Sequence, residues 1–116
     1  MNPIGPYSPI IKAGDLYFIS GQIGVEPDSN SLVEGIGAQT QQIMNNLAAL
    51  LDSVDLTVEN LVKTTIYLKD INDFEKVNEI YADGLKDTKP ARATVAVADL
   101  PKGALIEIEA IATKQQ

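Results

Sequence analysis

A stripe of aliphatic side chains between residues 36 and 54 constrains the fold more than any other feature of the sequence. Its members recur at a spacing of about 3.6 residues, which is the period of an α-helix. They are Ile36, Ile43, Leu47, Leu50, Leu51 and Val54. The pattern predicts one long amphipathic helix, which has to bury its apolar side against another layer of the same protein.

Strands are predicted on both sides of this helix, because β-branched and alternating segments flank it. Residues 9–12 and 16–20 form a predicted hairpin around the turn-forming triplet Ala13-Gly14-Asp15. Residues 24–37 are predicted to be a loop that contains a very short strand near Leu32 and Val33. After the helix, residues 61–68 alternate in the way that a half-buried strand does.

A second helix is predicted to begin at Asn72, whose side chain can cap it, with Glu75 at the reciprocal position of a capping box. Its buried stripe consists of Phe74, Val77 and Tyr81. Gly84 suits the C-terminal end of this helix. Residues 92–97 and 105–112 are the last two predicted strands, joined by a turn at residues 100–103.

The order of these elements predicts a two-layer sandwich in a single domain over residues 1–116, with two helices on one face of a sheet. Along the strand at 92–97, Arg92, Thr94 and Ala96 fall on one side and alternate with small and apolar residues on the other. Since both sides are partly apolar, we expect a partner chain to cover the face that the helices leave open. The chain is therefore predicted to form a homo-oligomer.

Composition narrows the possible chemistry. The chain has no His and no Cys, which excludes the commonest general base, thiol nucleophiles and thiolate metal sites. Nine basic residues against sixteen acidic ones give a net charge of −7, so we expect no general nucleic-acid binding. No apolar run long enough to cross a membrane and no secretory signal is visible, which favours the cytoplasm. The sequence contains no phosphate-binding loop, dinucleotide fingerprint or metal-ligand cluster, so neither a cofactor nor a metal is expected.

Among the residue types that the composition leaves for catalysis, Arg92 and Glu107 are the strongest candidates. Arg92 is either a solvated charge at the edge of a strand or a two-pronged anchor for a carboxylate. Glu107 and Glu109 alternate with Ile106 and Ile108, so both carboxylates point to one face. They form either a plain polar face or a site at which one of them orients a water near Arg92.

Four further positions are weaker candidates for lining a site. Asn78 shares the predicted buried stripe of the second helix, where its amide either ties down a loop or faces a ligand. Tyr7 follows the rigid Gly5-Pro6 turn. Ser20 and Gly21 end an apolar strand, and the glycine would let a ligand approach the backbone.

Taken together, these segments resemble the RidA/YjgF family of reactive-intermediate deaminases over essentially the whole chain. The resemblance rests on Gly5-Pro6-Tyr7-Ser8, Ser20-Gly21-Gln22, Val62-Lys63-Thr64-Thr65, Val77-Asn78-Glu79-Ile80-Tyr81, Pro90-Ala91-Arg92, Leu100-Pro101-Lys102-Gly103-Ala104 and Ile106-Glu107-Ile108-Glu109-Ala110. It implies a chorismate-mutase-like α+β subunit with a mixed sheet, and a homotrimer with three interfacial sites. It also implies hydrolysis of 2-aminoacrylate, 2-iminopropanoate and 2-iminobutanoate to 2-keto acids and ammonia.

Residue roles follow from the same resemblance. Arg92 would bind the substrate carboxylate and Glu107 would hold the attacking water, while Tyr7, Ser20, Gly21 and Asn78 would line the cleft. The chain departs from the family motif at Thr94, where a Cys is usual, and we expect the backbone of Thr94 to make the contact. Two other functions stay open: an RNA-directed role, as translation inhibitor or endoribonuclease, and a regulator that binds a carboxylate metabolite without turnover.

Overall fold

The computed structural model describes residues 5–114, and seven regular elements build its two layers. The strands are β1 (Ile10–Ala13), β2 (Leu16–Gln22), β3 (Leu61–Leu68), β4 (Ala91–Ala96) and β5 (Ile106–Thr113). The helices are α1 (Ile36–Asp52) and α2 (Phe74–Leu85). These bounds confirm the predicted helices and strands to within about two residues, and Val25 and Leu32 form the short bridge expected in the loop before α1.

The five strands form one mixed sheet in the order β1-β2-β5-β3-β4. Only β3 and β4 run parallel, with α2 as their crossover, and the other pairs are antiparallel. The predicted α+β sandwich with a mixed sheet and two helices is confirmed. β4 is an edge strand, while β5 lies between β2 and β3 near the middle of the sheet.

The core lies between the sheet and the two helices. α1 contributes Ile43, Leu47 and Leu51, which are buried against Ile66 of β3 and Ile108 of β5. Every second residue of β5 faces this core, from Ile106 to Ala112, and the alternate residues face away from the helices. The face of the sheet without helices, called the open face below, therefore carries Glu107 and Glu109.

The start and the end of α2 differ from the prediction. The helix begins at Phe74 after a short 3₁₀ turn, and the side chain of Asp70, rather than Asn72, accepts a hydrogen bond at this turn, from the Asn72 N–H at 2.9 Å. Gly84 lies inside the helix, which ends one residue later and is followed by Lys86 at φ 57°. An added Cβ at Gly84 would lie 2.8 Å from Cε of Met44, so this glycine serves the contact between the helices rather than the helix end.

Buried amides that the sequence patterns did not reveal fasten the loop before α1. The side chain of Asn46 donates to the Val25 carbonyl at 2.8 Å, and that of Gln39 donates to the Val33 carbonyl at 3.0 Å. Gln39 also accepts from the Leu105 N–H at 2.8 Å, which ties α1 to the start of β5. No helix in the described part of the chain is long and apolar enough to cross a membrane.

Candidate active site

One pocket of about 570 Å³ opens next to β2 and β5, and we call it the acidic pocket. Its lining contains four of the predicted site residues together with Glu109 and a lysine from the turn before β5: Tyr7, Ser20, Gly21, Lys102, Glu107 and Glu109. The sequence reasoning missed Lys102, whose ammonium group donates to the Asn30 carbonyl at 2.7 Å. This bond fastens one wall of the pocket to the loop before α1.

Gly21 makes room for Glu107. A Cβ at residue 21 would lie 2.0 Å from Oε2 of Glu107, so any side chain larger than hydrogen would displace the carboxylate. The register of β2 against β5 shifts between Ile19 and Gln22, which brings this glycine beside β5. The sequence suggested that Gly21 admits a ligand to the backbone, whereas in the structure it admits the carboxylate of Glu107.

Ser20 holds the segment that carries Tyr7. Its hydroxyl donates to the Ser8 carbonyl at 2.7 Å, and its N–H donates to the Pro9 carbonyl at 2.9 Å. The Ser20 hydroxyl proton is therefore already used within the chain. Tyr7 itself stays 48% exposed at the rim of the pocket.

The two glutamates of β5 influence each other across the acidic pocket. Burial, and then the negative charge of Glu109, raise the pKa of Glu107 above its ordinary value. The hydroxyl of Tyr67, on neighbouring β3, donates a hydrogen bond to Glu109 Oε1. That bond, with burial and the charges of both glutamates, raises the pKa of Tyr67. The alternation in the sequence predicted that the two carboxylates share one face. The hydrogen bond from Tyr67 could be found only from the pairing of β3 with β5.

A second pocket of about 560 Å³ lies where α2 ends and β4 begins, and we call it the basic pocket. Its lining includes Asn78, Tyr81, Lys86, Lys89 and Arg92. Arg92 Nη1 donates to Oδ1 of Asn78 at 2.6 Å. The Asn78 amide thus contacts Arg92 directly, and its role in facing a ligand stays a prediction.

Two aromatic rings of α2 support the guanidinium of Arg92. Its Cζ lies 5.4 Å from the ring centre of Phe74 and 5.2 Å from that of Tyr81, distances typical of cation–π contacts. The hydroxyl oxygens of Tyr81 and Thr64 lie 2.6 Å apart, which fixes the second ring. Burial raises the pKa of Tyr81, while the Thr64 hydrogen bond and the Arg92 charge oppose this rise.

Arg92 has its positive charge free for an outside anion. Within residues 5–114 its side chain makes no ion pair with a carboxylate, since its polar partner is the neutral amide of Asn78. An arginine presents its donors in a planar fork that matches a carboxylate. The arrangement therefore favours an anchor over a plain edge charge.

Thr94 lies two residues further along β4, on the same side as Arg92 and opposite Ile66 of β3. Its Oγ1 is buried and has no hydrogen-bond partner among the residues that the structure describes. Buried hydroxyls without a partner are uncommon, since they lose their bonds to water. The Thr94 hydroxyl is therefore an unsatisfied polar group that the chain encloses on the helix side of β4.

The predicted site residues divide between the two faces of the sheet. Arg92 pairs in register with Thr64, which faces the helices, whereas Glu107 pairs with Tyr67 on the open face. β3 also separates β4 from β5. Within one chain the two groups therefore lie on opposite faces of the sheet, and the predicted water between them stays a prediction for a site between two copies. Only two copies of the chain could bring the groups together.

The fold and the two pockets together define a small two-layer α+β protein. It has an arginine pocket on one face of the sheet and a half-buried carboxylate on the other. Residues 5–114 contain no cluster of acidic side chains that could hold a metal. Residues 1–114 match the family model described as Endoribonuclease L-PSP, and the chain thus belongs to the RidA/YjgF family. This confirms the resemblance found in the motifs.

Named relatives agree with this assignment. A RutC family protein of Pyrococcus horikoshii is 50% identical over 114 residues, covering 97% of this chain and 90% of the relative. The human 2-iminobutanoate/2-iminopropanoate deaminase is 47% identical over 110 residues, covering 94% of this chain and 80% of the human protein. The crystal structure of RidA from an Antarctic Psychrobacter superposes with a TM-score of 0.94 at 38% identity, covering 97% of this chain and 91% of that one.

Proposed function

We propose that this protein is an enzyme that hydrolyses 2-imino acids and their enamine tautomers to 2-keto acids and ammonia. In the proposed assembly, a homotrimer, the basic pocket of one subunit faces the acidic pocket of the next. The observation that carries the proposal is the Arg92 guanidinium, held by Asn78 and two aromatic rings and without a carboxylate partner among residues 5–114. The name of the human relative supports the same reaction.

Arg92 binds the substrate carboxylate through two parallel N–H···O bonds in this proposal. Because Asn78 and the two rings of α2 fix the guanidinium, little side-chain entropy is lost when the substrate binds. The bound carboxylate then holds the C=N carbon at a fixed place. Orientation of this kind can supply on the order of 7 kcal/mol of the barrier at best.

Glu107 holds the attacking water. As the water oxygen adds to the carbon of the protonated imine (C=NH2+), one water proton passes to Glu107, which gives a neutral carbinolamine. Glu107 returns this proton to the nitrogen, the C–N bond breaks and ammonia leaves, while the proton of the remaining hydroxyl passes to Glu107 and then to solvent as the C=O bond of the keto acid forms. Imines are electrophilic enough to hydrolyse unaided, so a site without His, Cys or metal suffices for this reaction.

The direct test replaces Arg92. Arg92→Lys keeps the charge but loses the planar fork, so it should abolish most of the hydrolysis of 2-iminopropanoate, as Arg92→Ala should. Charge-assisted hydrogen bonds contribute roughly 1.5–3 kcal/mol each, so losing two should lower kcat/KM on the order of a hundredfold or more. The imine is generated in the cuvette from alanine by an amino-acid oxidase, and its decay and the ammonia released are followed.

Matched controls make this test decisive. Lys76→Gln, at an exposed lysine of α2, should leave the activity unchanged. Near-normal activity of Arg92→Lys would show that Arg92 is only an edge charge. Wild-type protein that binds a keto acid but does not accelerate ammonia release above the uncatalysed rate would instead be a carboxylate-binding regulator.

The family description names an endoribonuclease, so an RNA-directed role needs its own test. The net charge of −7 repels phosphates, and the chain has no His to act as general acid or base. We therefore expect no RNA cleavage and no salt-dependent RNA binding by protein freed of contaminating nucleases. Cleavage that persists in such preparations and is lost in Arg92→Ala would reverse this expectation.

A further inference from the structure

The basic pocket contains more positive charge than the binding of one carboxylate needs. Lys86 and Lys89 line it together with Arg92, and none of the described residues in its lining is acidic. The whole chain has only nine basic residues and a net charge of −7. A third of its cations are thus gathered at one concave surface, where charges of one sign focus the field on an anion.

The two lysines are not engaged elsewhere. Within residues 5–114 neither makes an ion pair, and both are exposed. Asp83 and Asp87, their acidic neighbours in sequence, are not among the lining residues. Within a single chain, the lysine charges are therefore not neutralised by a carboxylate and remain available to an acidic group of a ligand.

Lys86 also occupies a backbone conformation that favours glycine. It follows α2 at φ 57° and ψ −120°, where a side chain is strained and where glycine is the common residue. A lysine at this position carries a conformational cost that glycine would avoid. Its presence in the lining of the basic pocket suggests that the ammonium group, rather than the turn, is what the site uses.

The size of the basic pocket fits a ligand with a second acidic group. About 560 Å³ lies within the range of pockets for small ligands and far exceeds the needs of a three-carbon imino acid. Arg92 lies at the β4 side of this space, while Lys86 and Lys89 belong to the segment between α2 and β4. A ligand with two carboxylates would therefore find three cations in one pocket lining.

We propose that the basic pocket selects imino acids with two carboxylates, such as those derived from aspartate and glutamate. This inference rests on the proposed function, because Arg92 holds the carboxylate next to the C=N carbon in both cases. Lys86 and Lys89 hold the carboxylate at the other end. The imines of alanine and 2-aminobutanoate leave the two lysines without a partner and bind through Arg92 alone.

Binding of stable keto acids tests the preference without relying on turnover. 2-Oxoglutarate and 2-oxobutanoate share the carboxylate beside the ketone and differ in the second one. Calorimetry on the intact oligomer should show tighter binding of 2-oxoglutarate by up to about tenfold at low salt, with the difference shrinking as salt is added. Exposed charge pairs are weak, so each lysine should contribute about fivefold at most.

Three variants assign the preference to the lysines. Lys86→Gly and Lys89→Gln should weaken binding of 2-oxoglutarate and leave 2-oxobutanoate unaffected, and Lys76→Gln, outside the pocket, should change neither. Lys86→Gly should also keep or raise the Tm, because glycine relieves the strained backbone. A loss of selectivity without a loss of stability is an outcome that a purely structural role would not produce.

The possible failures are distinguishable. Equal affinity for the two keto acids, or lysine variants that weaken both alike, would overturn the dicarboxylate inference and leave the proposed function standing. Wild-type protein that binds neither keto acid and does not accelerate ammonia release from any imine above the uncatalysed rate would overturn both. Hydrolysis of 2-iminosuccinate with a higher kcat/KM than 2-iminopropanoate, reduced in both lysine variants, would support the inference in turnover.

Discussion

Glu107 and Glu109 show how neighbouring residues set the protonation of a candidate catalytic group. Both lie on the open face of β5, and Tyr67 from β3 donates to Glu109. Buried in part, and next to a second carboxylate, Glu107 has a raised pKa. Its ability to take a proton from water therefore depends on pH and on the charge of Glu109.

The pH profile of hydrolysis should report this coupling. If ionised Glu107 accepts the proton, activity is lost as pH falls through its raised pKa. Glu109→Gln removes a negative charge that raises this pKa, so the acidic limb of kcat/KM should move to lower pH. Tyr67→Phe removes the hydrogen bond to Glu109 but keeps the charge of Glu109. It therefore serves as the control and should not move the acidic limb to lower pH. An unmoved or higher limb in Glu109→Gln would contradict the coupling.

Thr94 is the position where the chain departs from its family motif. If the backbone makes the ligand contact, Thr94→Cys should change turnover only modestly. The Thr94 hydroxyl is buried and has no hydrogen-bond partner among residues 5–114. Because valine removes this unsatisfied group at nearly the same shape, Thr94→Val should keep or raise the free energy of unfolding, by up to about 1 kcal/mol. A hundredfold gain in Thr94→Cys would show that a thiol has a role and that threonine impairs this member.

At the scale of elements, the contact between α1 and α2 shows how a glycine inside a helix is explained by packing. Gly84 is a poor helix former, yet α2 runs through it. A Cβ there would lie 3.2 Å from both Cβ and Cγ of Met44, the less mobile part of that side chain. The close approach of the helices therefore depends on the missing side chain.

Replacing this glycine should destabilise the protein although alanine is the better helix former. Gly84→Ala should lower the free energy of unfolding by ~1 kcal/mol, because overpacking costs ~1–3 kcal/mol and helix propensity returns up to ~1 kcal/mol. Gly37→Ala in α1 is the matched control, since its Cβ would meet only the ends of flexible Lys76 and Ile80 side chains. It should be neutral or stabilising. Urea unfolding at fixed protein concentration measures both, and shifts of equal sign would refute the packing explanation.

At the scale of the whole molecule, large apolar side chains lie exposed on the open face of the sheet. Ile11 and Phe18 are 52% and 42% exposed and pair with each other across β1 and β2, and Val95 of β4 is 44% exposed. Exposed apolar patches of this kind mark interaction surfaces. The division of Arg92 and Glu107 between two faces independently requires a second copy if the two are to share a substrate.

Light scattering should give a mass near three times the 12.5 kDa subunit. Phe18→Asp places a charge beside Ile11 among the exposed apolar side chains of β1 and β2, and it should dissociate the assembly and abolish hydrolysis together. Ala48→Asp, on the exposed side of α1, should leave both mass and activity unchanged. A monomeric wild type with full activity would remove the interfacial site altogether.

Hydrophobic periodicity, together with β-branched composition and turn and capping residues, predicted both helices and all five strands. The alternation along β5 also predicted that Glu107 and Glu109 share one face. These features depend on each residue and its neighbours within a few positions, so they can be read along the chain. The motif series also identified the family, which the comparisons confirm. The cap of α2 was placed wrongly at Asn72 because Asp70 competes for the same turn.

Only the tertiary structure decided which distant residues meet. The strand order, the opposite faces of Arg92 and Glu107, the support of Arg92 by Phe74 and Tyr81, and the place of Glu107 against Gly21 all depend on pairings between segments far apart in sequence. Such pairings are selected by how well whole elements pack, and packing depends on the shape of both partners at once. Local propensity contains no information about that fit, which is why the sequence named candidate site residues but not their separation.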